Sequence, residues 1–172
     1  MINARFVRAL AAVALFNGAL YLVVCQEVLA ADKEAEAKKY AEELKRSKDA
    51  KVRATALQEL GKLAAVQKSL VEEALPDIYK SLEDKDAGVR GAAAFCLGQC
   101  DEPTDKAVPL LTKILKEDKD DKAKIGAAKG LASIGPAAKS AVPALKELAA
   151  DKKSPVGQAA KTALKAINAK KQ

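Results

Sequence analysis

Ala74-Leu75-Pro76, Ala107-Val108-Pro109 and Ala141-Val142-Pro143 are three copies of one phrase, spaced by 33 and then 34 residues, and each opens an apolar helical pattern. A period of that length marks stacked helical pairs, because one unit is too small to bury its own apolar face and only a stack completes a core. The chain is therefore expected to be all-α, an α-solenoid of about three and a half to four repeats. A repeat scaffold specifies a way of making surface and not a reaction.

A second register runs through the same units. Val52-Arg53-Ala54-Thr55-Ala56-Leu57-Gln58-Glu59-Leu60-Gly61 aligns without gaps on Val89-Arg90-Gly91-Ala92-Ala93-Ala94-Phe95-Cys96-Leu97-Gly98. The frame continues from Ala123-Lys124 to Leu131 and Ile134, and a fourth copy runs from Val156 through Ala160 and Leu164 to Ile167. The apolar positions fall at i, i+4, i+8 and i+11, which is one stripe of an α-helix. Alanine at the second stripe position lets neighbouring helices approach closely.

The stripe V-R-x-A-A-x-x-x-L-G followed by A-V-P-x-L resembles the HEAT repeat, in the short bacterial form also found in phycobilin lyases. The resemblance covers Tyr40 to about Ile167. It implies that the stripe helices, opening at Val52, Val89, Ala123 and Val156, form the convex layer. The helices opening near Ala74, Ala107 and Ala141 would then form the concave one.

Turn chemistry fits these units. Asp49, Asp86 and Asp120 stand three residues before a stripe begins, where a side-chain oxygen can take free amide protons of the helix N-terminus. In the last copy Ser154-Pro155 replaces them, with serine as the cap and proline at the first helical position. Pro76, Pro109 and Pro143 are expected in first turns, where a missing N–H costs nothing. Gly61 to Pro76 is 15 residues, against 11 from Gly98 to Pro109, so the first unit holds four more. That predicts one extra turn of helix or a kink at Pro76.

The domain reading follows. Residues 1–31 form a signal peptide and residues 32–172 the repeat domain. Within it, 32–46 is an N-terminal capping helix with Tyr40, Ala41 and Leu44 on its apolar side, 49–83, 86–117 and 120–150 are repeats, and 154–169 is a C-terminal capping helix. Polar terminal helices keep a short solenoid soluble. In residues 1–31, Arg5 and Arg8 precede an apolar run from Ala9 to Cys25, and Ala30-Ala31 offer small residues for cleavage. Two alternatives are an uncleaved anchor and a lipoprotein. The first is at the short limit for a spanning helix, and the second has Val24 where a small residue belongs before Cys25. Membrane association is expected only if the segment stays uncleaved or Cys25 is lipidated. The mature protein is otherwise placed in the periplasm or outside the cell.

Composition excludes several chemistries. The chain has no histidine, which removes the commonest general base and zinc ligand, and with it the serine triad and the His-Glu iron site of hydroxylase relatives. Gly126-Ala127-Ala128-Lys129-Gly130 lies within a stripe helix and is not a phosphate loop. The acidic run Glu117-Asp118-Lys119-Asp120-Asp121 could gather Ca²⁺, but capping and turn formation account for aspartate there. Cys96 and Cys100, four apart on one helix, are expected in the core as small apolar residues, since a disulfide at that spacing in a regular helix is strained. No catalytic residue, cofactor or metal site is assigned.

Without residues 1–31 the chain carries 28 basic and 22 acidic residues, a net +6 that reads as an interspersed, mixed-sign surface. Only Tyr40, Tyr79 and Phe95 remain as aromatics, too few for stacking on single strands, so specific nucleic-acid binding is not expected. Arg53, Arg90 and Lys124 form a matched column. By the resemblance, such residues meet turn carboxylates of a neighbouring unit, among them Asp49, Asp84, Asp86, Asp118 and Asp120. As partly exposed pairs each would add at most about 1 kcal/mol.

The proline-bearing helices are left as the candidate binding face, exposing Glu72, Asp77, Lys116 and Glu147 beside the named contact residues Tyr79, Lys80, Leu110, Thr112, Lys113 and Lys146. Tyr79 and Leu110 are the anchors, because a few buried side chains carry most interface energy. The function read from the sequence is a non-catalytic protein-binding scaffold exported to the cell envelope. The alternatives are an accessory lyase or chaperone for a chromophore, implied by the resemblance, and a basic surface-associated binder of polyanions.

Overall fold

Four helix starts are set by side-chain oxygens at the predicted places. Asp49 accepts from the Lys51 amide at 2.8 Å, Asp86 from Val89 at 3.0 Å, Asp120 from Lys122 at 2.8 Å, and the Ser154 hydroxyl from Val156 at 3.2 Å. Each satisfies a backbone donor that a helix N-terminus leaves unpaired. The computed structural model of the protein, which describes residues 18–100 and 104–169, has α1 at Gly18–Arg46, α2 at Ala50–Val66, α3 at Leu75–Ser81, α4 at Ala87–Gln99, α5 at Thr104–Glu117, α6 at Asp121–Ile134, α7 at Val142–Ala149 and α8 at Pro155–Asn168. 3-10 helices at Lys68–Ala74 and Gly135–Ala141 lead into α3 and α7. Gly135 ends α6 with φ of 68°, in the region that favours glycine.

The chain divides into two compact units, Met1–Glu36 and Ala37–Gln172. Arg5, Arg8 and the first half of the predicted signal segment lie outside the described residues. From Gly18 the chain is helical through Ala30 and Ala31 to Arg46. Among the described residues no helix is long and apolar enough to cross a membrane.

The second unit is two layers. The stripe helices α2, α4, α6 and α8 pack side by side in sequence order, and the proline-bearing helices α3, α5 and α7 cover their apolar sides. The stripes form the core: Ala56, Leu57, Leu60, Val89, Ala93, Leu97, Ala127, Leu131 and Ala160 are fully buried. Ala37 and Leu44 of α1 join them, with Tyr40 and Ala41 packed against the cluster. Ile134 and Leu164 are partly buried, and Val52 is the exposed member of the stripes, at 36%. Among the described residues no stripe helix precedes α2, so its first turn has no neighbour to cover it.

Glycine sets the spacing within the stripe layer. The backbone of Gly126 lies against that of Gly91, and Gly98 against Gly130, so closely that a Cβ at Gly126 or Gly98 would penetrate the facing main chain. The proline-bearing helices pack mainly onto the stripe helices and the 3-10 segments, and little on one another.

Two local expectations meet different outcomes. The four extra residues lengthen α2 past the aligned end of α4, and the 3-10 segment Lys68–Ala74 that follows has its counterpart in Gly135–Ala141, where the extra residues are absent. Pro76 and Pro143 do sit in first turns, but Pro109 lies inside α5, well past its start at Thr104. Residues 104–108 are already helical there, so proline forgoes one backbone bond inside the helix instead of marking its beginning.

Candidate functional site

The arginine column is structural. Arg53 Nε and Nη2 donate to the two oxygens of Asp84, both at 2.9 Å, and Nη1 donates to the carbonyls of Ser47 and Lys48. One repeat on, Arg90 makes the same bidentate pair with Asp118 at 2.7 and 2.8 Å and reaches the carbonyls of Asp84 and Lys85. Each aspartate also accepts a turn amide, that of Asp86 or Asp120, at 2.9 Å. Arginine's planar fork thus ties one inter-repeat turn to the next. Lys124 cannot form a fork, and among the described residues no ion pair joins it to Asp151.

These turns are electrostatically committed. Burial works against the charge of Asp84, but the Arg53 guanidinium and the Asp86 amide outweigh it and hold the carboxyl below its ordinary value. The Arg90 hydrogen bonds hold Asp118 down in the same sense, and Asp118 raises Arg90 in return. Among the described residues no group of carboxylates, cysteines or histidines is arranged to hold a metal ion. In the acidic run, Asp118 is occupied by Arg90 and Asp120 by its cap.

Cys96 and Cys100 lie in the core as expected, with sulfurs 4.0 Å apart and the Cys100 thiol donating to the Cys96 carbonyl at 3.1 Å. The contact with Cys100, and burial after it, push the Cys96 thiol well above its ordinary range. Such a thiol is a poor nucleophile.

The predicted binding residues fall on the proline-bearing layer, and the structure gathers only some of them. Tyr79 of α3 and Leu110 and Lys113 of α5 line one open groove of about 420 Å³, floored by Leu82 and Ile114 and edged by Glu83, Glu117 and Asp118. Leu110 is 37% exposed there, and Tyr79 is half-buried. Lys80 lines a separate depression beside Asp77 and Asp84. The Thr112 hydroxyl is turned back onto the Val108 carbonyl at 2.7 Å. Lys146 is exposed on α7 and outside the Tyr79 groove.

A second groove of about 370 Å³ lies on the stripe-helix layer, away from the predicted binding residues. It runs over α4, where Gly88, Gly91 and Ala92 present almost no side chain, and ends on Phe95 and Ile125. Its charged lining is Lys62, Lys122 and Lys129, with no carboxylate. The stripe helices carry few acidic residues, Glu59 in α2 and Asp121 in the first turn of α6 beside Lys122, and neither lines the groove. One sequence signal could have pointed here. Phe95 falls off the apolar stripe of α4, and an aromatic off the stripe is not core.

A family model described as HEAT repeats matches residues 37–132 and 108–172. No curated protein matches the sequence. Among solved structures, the crystal structure of an engineered protein from a structural genomics consortium is similar at a TM-score of 0.55 with 24% identity, over 79% of this chain and 62% of that one. The chain thus spans less than two thirds of that protein, and the likeness shows the fold. With its two-layer stack, glycine-spaced stripe helices and arginine ladder, the chain belongs to the HEAT-repeat family.

Proposed function

We propose that this protein is a non-catalytic protein-binding scaffold exported to the cell envelope. HEAT repeats mediate protein–protein interaction, and the observation that carries the reading here is a stack whose two layers each expose an apolar-floored groove. Tyr79 and Leu110 supply contact anchors on one of them, with Lys113 beside them and Lys80, Thr112 and Lys146 on the same layer. Export rests on the charged start, apolar middle and small-residue end of residues 1–31.

The test uses the full chain with a C-terminal tag. Fractionation and N-terminal sequencing should find it in the envelope, beginning near Asp32; an intact N-terminus in the cytoplasm overturns export. Capture from nuclease-treated extract should retain a discrete protein at high salt, and Tyr79→Ala with Leu110→Ala should weaken it. Capture that vanishes with salt and yields only polyanions supports the alternative of electrostatic surface binding.

A further inference from the structure

The geometry points to a specific occupant for the groove on the stripe-helix layer: an acidic protein segment that sets carboxylates against Lys122 and Lys129 and lodges one apolar side chain on Phe95 and Ile125. This rests on the scaffold reading and names the chemistry of the partner.

Charge complementarity decides the class. The groove wall contains three lysines and no carboxylate. Lys62 is held by Glu59 at 2.7 Å, so it contributes least. Among the described residues Lys122 and Lys129 have no ion pair, and both are exposed. They stand seven residues apart on α6, on one face and about 10 Å along the axis, with Ile125 between them. Two cations bracketing an apolar contact match a segment in which two acidic residues bracket an apolar one.

The floor separates protein from nucleic acid. A phosphate chain would be attracted by the lysines but would gain little from Gly88, Ala92 and Ile125. The groove holds one aromatic, whereas single strands are held by successive stacked bases. An apolar side chain from an acidic peptide uses that floor and excludes water from it.

The probe is a fluorescein-labelled peptide of Glu and Ala with one central Leu, titrated against the full chain by anisotropy. Controls are the same peptide with Ala for that Leu, and an oligothymidylate. The Leu peptide should bind, Lys122→Glu with Lys129→Glu should weaken it about tenfold through lost complementarity, and Lys122→Arg with Lys129→Arg should retain it. Phe95→Ala should remove the preference for the Leu peptide. Both lysines are exposed, so unchanged melting curves are expected to show that the variants fold. The inference is overturned if the Leu peptide does not bind, if the Ala peptide or oligothymidylate binds as well as it does, or if charge reversal changes nothing. In the capture assay, a partner lost with the Tyr79 and Leu110 changes but kept by the lysine reversals would remove this inference and leave the scaffold reading intact. Capture of no protein would instead remove the scaffold reading, while the peptide titration still decides the groove.

Discussion

Arg90 grips both oxygens of Asp118 across one repeat, at 2.7 and 2.8 Å, with the pair's side chains only 19% and 9% exposed. That burial and the extra bonds to two turn carbonyls make it stronger than the surface pair the sequence suggested. Arg90→Met should destabilise the fold by about 2 to 3 kcal/mol, because it strands a covered carboxylate. Arg90→Lys should recover less than half of the loss, since an ammonium cannot reproduce the fork. Urea unfolding of the three proteins checks this.

The same pairs set the acid limit of stability. Asp84 and Asp118 have folded-state values below the ordinary 3.8, so as pH falls the unfolded chain takes up protons first. Their contribution is complete above about pH 5 and is lost as pH falls through about 4 and then through the folded values. Urea midpoints measured from pH 7 downward should be flat at first and then fall, and the fall should be shallower in Asp118→Asn, which starts from a lower stability.

Inter-repeat spacing depends on two glycine contacts. Gly126→Ala places a methyl group into the Gly91 main chain and should cost about 3 kcal/mol, since neither helix can yield without moving its repeat. Gly61→Ala is the control: its Cβ would meet the Cys96 Cα at 3.4 Å, an ordinary contact, and alanine is the better helix former. That variant should stay within about 1 kcal/mol of the wild type. Thermal unfolding distinguishes the two.

Cys96 and Cys100 should resist a thiol reagent in the native state and react once the chain is unfolded. Mass spectrometry of the labelled peptides, taken through a urea series, should give a labelling midpoint that coincides with unfolding. Fast labelling of Cys100 in native buffer would show that the α4 end opens locally.

Much of this fold is legible in the sequence because its signals are local. Asp49, Asp86, Asp120 and Ser154 cap their helices through bonds spanning two or three residues, and the stripes from Val89 to Leu97 and from Ala123 to Leu131 bury as periodicity requires. The arginine column was also visible, as was the resemblance to HEAT repeats that the family comparison bears out. Pro109 was misplaced because helix propensity upstream of a proline is not encoded by the proline.

By itself, the amino-acid sequence determined the repeat period, the helix starts, the buried stripes and the absence of histidine chemistry, all of which depend on residues within one or two turns of each other. Tertiary structure alone decided how closely the stripe helices approach and which lysines share one groove. Those depend on the distance between helices, which Gly91 and Gly126 make smaller than any side-chain contact would allow, and on Lys62, Lys122 and Lys129 meeting around Phe95 across three repeats.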